Sequence, residues 1–301
     1  MNYHITHRTT YCYSAPVSLC QNLAHLTLRD APHQLCRQTV LTVHPQPAVL
    51  ATRVDTFGNP ATFFSIQQPH PELTITAVHR VEVEPRENID LADSPAWESV
   101  RDRLATDCTP TTLEACQFAF ASRFVQPDAD LAAYARLSFT PARPLLEAAM
   151  DLTRRIYEDF TYDPSATTIS TPVQEVFVNR RGVCQDFAHL QITCLRALGL
   201  AARYVSGYLA TKSPEGQPRL VGVDATHAWL AVYCPKAGWV DLDPTNNVLA
   251  SDRHIVLSWG RDYDDVSPIK GVVLGGGYHE MYAAVDVIEM PDSDDSAAES
   301  S

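Results

Sequence analysis

Arg180-Arg181-Gly182-Val183-Cys184-Gln185-Asp186-Phe187-Ala188-His189-Leu190 is the stretch on which the reading of this chain turns. After Cys184 the apolar residues Phe187, Leu190, Cys194, Leu195 and Leu198 recur at helical spacing, and Gly199 supplies a stop. The pattern predicts a tight turn that delivers Cys184 to the first turn of a helix. A thiol there feels the positive end of the helix dipole, and the charge of Arg180 and Arg181 adds to it; both favour thiolate. The competing reading is a small cysteine packed in a core, the commoner state of a free cysteine. Partners elsewhere in the chain must decide.

A cysteine nucleophile needs a base, and the base needs a third group to fix its tautomer. The strand-like run Thr226 to Tyr233 carries His227, and Trp239 to Thr245, broken by Pro244, carries Asp241 and Asp243. Neighbouring antiparallel strands can set an imidazole beside a carboxylate. Register is the check. A two- or four-residue loop centred on Lys236-Ala237 would put His227 and Asp243 on opposite faces, whereas a three- or five-residue loop or a bulge puts them together. Asp241 shares the face of Asp243, so parity leaves both carboxylates open. Taken singly, His227 reads as a half-buried strand residue and Asp243 as a turn cap. In the order Cys, His, Asp they read as nucleophile, base and orienter.

The rest of the chain frames this half. Residues 1–85 read as an all-β unit, with strands at Tyr3 to Tyr13, Gln38 to Val43, Val49 to Val54, Thr62 to Ile66 and Leu73 to Val83, and a turn at Phe57-Gly58-Asn59-Pro60; this spacing suggests a small β-sandwich. Residues 86–143 are a Pro-punctuated, partly helical connector. From 144 to 290 come an amphipathic helix (Leu145, Ala149, Leu152, Ile156, Phe160), the Cys184 helix, and an antiparallel sheet with a last strand at Tyr282 to Glu289. Residues 291–301, rich in Asp and Ser, read as a disordered acidic tail.

Composition narrows the function. The chain has 301 residues, 45% hydrophobic and 20% charged, with a net charge of −13, which argues against nucleic acid and anionic membrane as partners. No run reaches the ~18–20 apolar residues of a membrane span, and the first residues lack the apolar segment of a secretory signal. The eight scattered cysteines form no C-x-x-C pair and read as reduced, which suggests a cytoplasmic protein. His4 and His7 on a strand, and His279-Glu280 without a second histidine, give no zinc pattern; Asp262, Asp264 and Asp265 lack the spacing of a calcium loop. No metal site and no cofactor are expected.

Four blocks now carry a resemblance: Gly182-Val183-Cys184-Gln185-Asp186-Phe187-Ala188; Leu198 to Tyr208; His227-Ala228-Trp229; and Trp239 to Asn246. In this order they resemble the core of bacterial transglutaminase-like enzymes, a group that includes candidate cysteine proteases. Tyr11 to Val17 resembles the β-rich domain that precedes such cores, and Gly260 to Val266 a segment that follows them. The resemblance implies an α+β fold: the β-sandwich domain, then a papain-like core with the nucleophile helix packed on an antiparallel sheet. It implies Cys184 as nucleophile, His227 as base and Asp243, which precedes the Pro-Thr pair, as orienter. The implied chemistry is peptidase, amidase or transglutaminase-like acyl transfer through a thioester, on a protein or peptide bearing glutamine or another amide. The rival from another class is a binding or scaffold module that keeps the fold and does little chemistry.

Other positions are expectations by type and place. The backbone N–H of Cys184 is the first candidate for the oxyanion, with Tyr162, Gln174 and Gln185 as side-chain candidates. Trp229, on the face of His227, reads as a groove wall or a core aromatic. Asp186 reads as a partner of Arg180 or Arg181, or as an N-terminal helix acid. His189 reads as structural, and Gly275-Gly276-Gly277 as a connection before the last strand.

Overall fold

The computed structural model describes residues 1–86, 88–211 and 226–291. The acidic tail beyond residue 291 and most of the loop over 211–222, expected to shape the groove, lie outside the described residues.

The N-terminal domain is threaded on one long strand, β1 (Asn2–Ala24). Its first half alternates Tyr3, Ile5, His7 and Thr9 inward, the period-two pattern of a pleated strand. It is joined by β2 (Gln34–His44), β3 (Val49–Val54), β4 (Pro60–Ile66) and β5 (His70–Val83), in the order β2-β5-β1-β4-β3. The register of β1 against β5 breaks between Cys12 and Val17, where Ser14-Ala15-Pro16 removes a ladder donor. Before the break β1 pairs with β5, after it with β4. The β domain read from residues 1–85 is therefore one continuous sheet along β1, not two separately bonded layers.

The helices of the connector, α1 (Trp97–Thr106), α2 (Pro110–Cys116) and α3 (Ala129–Arg136), do not stand apart. Val100, Leu104, Ala115, Leu131 and Ala135 join one buried cluster with α4 (Leu145–Asp159). Next come β6 (Thr161–Tyr162), α5 (Val173–Asn179), β7 (Arg181–Gly182) and α6 (Cys184–Ala197). The helix α6 is buried from Asp186 to Arg196, its polar residues Asp186, His189, Gln191, Thr193 and Arg196 included. It ends at Gly199, whose φ of 78° is the left-handed conformation that glycine adopts freely.

The core sheet is antiparallel, in the order β11-β10-β9-β8-β12: β8 (Ala202–Leu209), β9 (Thr226–Cys234), β10 (Gly238–Asp243), β11 (Val248–Leu249) and β12 (His254–Gly260). After a short α7 (Tyr263–Val266), β13 (Ile269–Gly275) and β14 (His279–Met290) leave this sheet and pair with β1. Residues 144–290 were expected as one unit; strand pairing carries their last two strands to the N-terminal sheet. Alternation marks a strand but not its neighbour, so the sequence could not disclose this. The glycines 275–277, all at positive φ, join β13 to β14 against Ser14 to Pro16 of β1. The two sheets share a core: Tyr208, Ile255 and Leu257 pack among Ile5, Val17, Phe64 and Ile75. No helix of the described residues is long and apolar enough to cross a membrane.

Candidate active site

The start of α6 is built by its own side chains. Val183 is extended, and the Asp186 carboxylate reaches back to accept the Val183 N–H at 2.8 Å and the Thr167 hydroxyl at 2.6 Å. This N-terminal acid fixes the turn before Cys184. Gly182 is required there, because a Cβ would stand 2.7 Å from Asp186 Oδ2. Asp186 pairs with neither arginine. Arg181 reaches Asp163 at 3.4 Å, while the Arg180 guanidinium lies over Phe160 and Phe177 at 4.6 and 4.3 Å. The Arg180 charge thus sits in an aromatic cage and not on the thiol. Cys184 is partly exposed.

The hairpin resolves the register question. Cys234 pairs with Gly238, leaving the three-residue loop Pro235-Lys236-Ala237, one of the lengths that puts His227 and Asp243 on one face. His227 Nε2 lies 2.8 Å from Asp243 Oδ2, and the Cys184 side chain is close enough to help raise the His227 pKa. Asp241, on the same face, is turned to an ion pair with Arg86. The structure therefore brings together Cys184, His227 and Asp243, and not Asp241.

Asp243 is fully buried and saturated with donors. Oδ2 accepts from Asn246 Nδ2 at 2.6 Å and lies 3.1 Å from His254 Nε2; Oδ1 accepts the Thr245 N–H at 2.9 Å. Burial raises a carboxyl, but the bonds from His227 and His254 outweigh it and hold Asp243 well below its ordinary range. Burial likewise works against the charged imidazole of His227; the hydrogen bonds to Asp243 and Cys184 prevail and push it up to about 10. His254 Nδ1 accepts the Ser251 N–H at 3.1 Å, so its proton resides on Nε2, facing Asp243.

The remaining expectations divide. Tyr162 pairs with Gly182 across β6 and β7, is half exposed, and feels the Cys184 charge. The Gln185 amide turns to the Ile169 carbonyl at 3.4 Å, and Gln174 is exposed on α5 with no described contact to Cys184. Trp229 is fully buried, stacked 5.9 Å from His227 and edge-on to His254 at 5.3 Å; a ring without exposure is no groove wall. His189 accepts the Tyr263 N–H at 3.1 Å and is neutral by burial, its imidazole pushed down to about 3.

Sequence reasoning missed His254, Asn246 and Tyr204. His254 opens β12, which was not read as a strand. Asn246, one residue past the quoted Pro-Thr pair, was within reach. Tyr204 is fully buried and feels the Cys184 charge. The ligand atoms of His227, Asp243 and His254 lie within 4.8 Å of one another, a set able to hold a metal ion. They are already joined through Asp243 Oδ2 at hydrogen-bond distances.

A partly exposed helix-start cysteine, a histidine and a buried aspartate on an adjacent hairpin define the chain as a protein with a cysteine–histidine–aspartate constellation on an α+β core. Comparison with known proteins agrees. The profile described as bacterial transglutaminase-like N-terminal region matches residues 3–82, and that of the transglutaminase-like superfamily matches residues 132–244. An uncharacterized protein of Mycobacterium tuberculosis is 44% identical over 299 residues, covering 95% of this chain and 92% of its own length. One of Mycobacterium leprae is 31% identical over 289 residues, covering 95% and 98%. A protein-glutamine gamma-glutamyltransferase of Pseudomonas aeruginosa is 36% identical over 110 residues, 36% of this chain and 16% of that one. The crystal structure of a candidate cysteine protease from Cytophaga hutchinsonii shares the fold, with a TM-score of 0.74 at 20% identity over 97% of this chain and 92% of that one. The chain belongs to the transglutaminase-like superfamily.

Proposed function

We propose that the chain is a cysteine-dependent enzyme that cleaves or transfers an acyl group at a carboxamide or peptide bond of a protein or peptide. The observation that carries this reading is His227, held by Asp243 at 2.8 Å, with the Cys184 side chain at the start of α6 among the groups that raise its pKa. The Cys184 thiolate attacks the carbonyl carbon. The oxyanion is met by the Cys184 backbone N–H, which as a first-turn donor has no intrahelical acceptor, with the Tyr162 hydroxyl, whose pKa the Cys184 side chain helps raise, as the side-chain candidate. The C–N bond breaks as the His227 imidazolium gives its proton to the leaving amine or ammonia, and a thioester forms on Cys184. An amine or water, deprotonated by His227, then attacks the thioester and the C–S bond breaks. Hydrolysis and transamidation share the first half and differ only in the acceptor.

The test is incubation with glutamine-containing peptides, with and without a labelled amine, and mass spectrometry of the products. The wild type is expected to release ammonia or amine and to yield free acid or amine adduct, while Cys184→Ala yields neither and keeps the fold. Iodoacetamide at neutral pH should label Cys184 ahead of the buried Cys20, Cys194 and Cys234. Turnover by Cys184→Ala, or a probe that spares Cys184, would overturn the reading. A binding or scaffold module would form no thioester with any substrate.

A further inference from the structure

Behind the triad lies a cleft of about 930 Å³, between the β domain and the core sheet. Cys184, His227 and Asp243 are not part of its lining; His254, which hydrogen-bonds Asp243, is. Its size falls in the range of small-molecule sites, which are commonly formed where domains meet. Two indoles, Trp239 and Trp259, form apolar walls and hold the buried Arg203 guanidinium between them at 4.5 and 3.7 Å. Arg86 and Asp241 form an ion pair on the same lining. Three buried polar atoms of these side chains, Arg86 Nε, Arg203 Nε and Asp241 Oδ1, have no hydrogen-bond partner, so a ligand reaches them only as these side chains turn toward the cleft. What sets this group apart is that two cationic N–H donors and a carboxylate oxygen, all without partners, belong to side chains that line one cleft.

We propose that this cleft is a binding site for a free α-amino acid with an apolar or aromatic side chain. Its carboxylate accepts from Arg86 and Arg203, its ammonium donates to Asp241, and its side chain lies against the indoles. A purely anionic ligand would leave Asp241 Oδ1 without a donor, and a purely cationic one the Nε–H groups of Arg86 and Arg203 without an acceptor. Because His254 joins the cleft to Asp243, occupancy alters the reactivity of Cys184; this second part rests on the catalytic reading above, and binding itself does not.

Calorimetric titration with L-phenylalanine and L-leucine tests the site. Both are expected to bind, and the amide (no carboxylate) and the N-acetyl derivative (no ammonium) at least tenfold more weakly. Arg86→Gln and Asp241→Asn are each expected to weaken L-phenylalanine at least tenfold; should one fail to fold, the other and the ligand series decide. No binding at millimolar concentration, equal binding of the amide, or unchanged affinity in the folded variants would overturn the site. Cys184→Ala is expected to bind as the wild type does, so the site is tested even if the catalytic reading falls. With the amino acid bound, iodoacetamide labelling of Cys184 is expected to change at least twofold; an unchanged rate would overturn the coupling.

Discussion

Asp243 is the residue that sets the charge state of the site. Removed from water and surrounded by donors, it stays ionised and makes the charged form of His227 favourable despite burial. The signs follow. The His227 pKa is raised, so its contribution to stability is complete below the ordinary 6.5 and is lost as pH rises through about 10. The Asp243 pKa is lowered, so its contribution is present above the ordinary 3.8 and is lost as pH falls below that value. The pair is intact between these limits, with the imidazolium present at neutral pH. Asp243→Asn removes the charge and leaves the burial. In this variant the His227 titration, followed by NMR, is expected to fall from about 10 to below 6.5. The rate of thioester formation should fall roughly 10²-fold or more. A His227 that still titrates near 10 in this variant would show that Asp243 does not hold the proton.

Among the elements, the hairpin and the edge strand β12 teach different things. The hairpin was legible in part: its two strands and the turn between them could be read, but the loop length that puts His227 and Asp243 on one face comes from the Cys234–Gly238 pairing, and the choice between Asp241 and Asp243 also needed more than spacing. The choice turns on Arg86, far back in the chain, which engages Asp241 and which no local pattern connects to it. β12 was not legible, because its pairing is non-local. Its register against β8 shifts between Val256 and Ser258, and its open edge is covered by side chains of the β domain. The Gln34 amide bonds both the N–H and the carbonyl of Val256, at 2.7 Å each. Asn59 does the same for Trp259, at 3.0 and 2.8 Å. Side-chain amides stand in for a neighbouring strand, a protected edge. Gln34→Ala and Asn59→Ala should each lower stability by about 1–3 kcal/mol, as buried backbone groups lose their partners. Urea unfolding measures this, and a loss below about 0.5 kcal/mol in both would show that the edge needs no cover.

At the scale of the whole molecule, the chain closes on its own beginning. β14 pairs with β1 from Asn2–Met290 to Tyr13–His279, and β13 pairs with the later half of β1. Val285 and Val287 complete the core of the β domain, which also receives Ile255 and Leu257 from the core sheet. The sheet of the β domain therefore draws two of its strands, β13 and β14, from beyond residue 85. A chain that stops at Pro268 tests this. It would keep α6 and the hairpin bearing His227 and Asp243 but strip one side of β1. Each buried valine lost represents about 1.5–3 kcal/mol, and a strand edge with unpaired N–H and carbonyl groups appears along β1. The expected loss is at least about 5 kcal/mol, comparable with the whole stability of an ordinary domain. Circular dichroism should then show no cooperative transition for the β domain. Because that domain also covers β12 and frames the cleft behind the triad, Cys184 labelling in the truncated chain should lose its selectivity as well. A truncated chain that melts at the wild-type midpoint would show that β13 and β14 merely decorate a domain already complete without them.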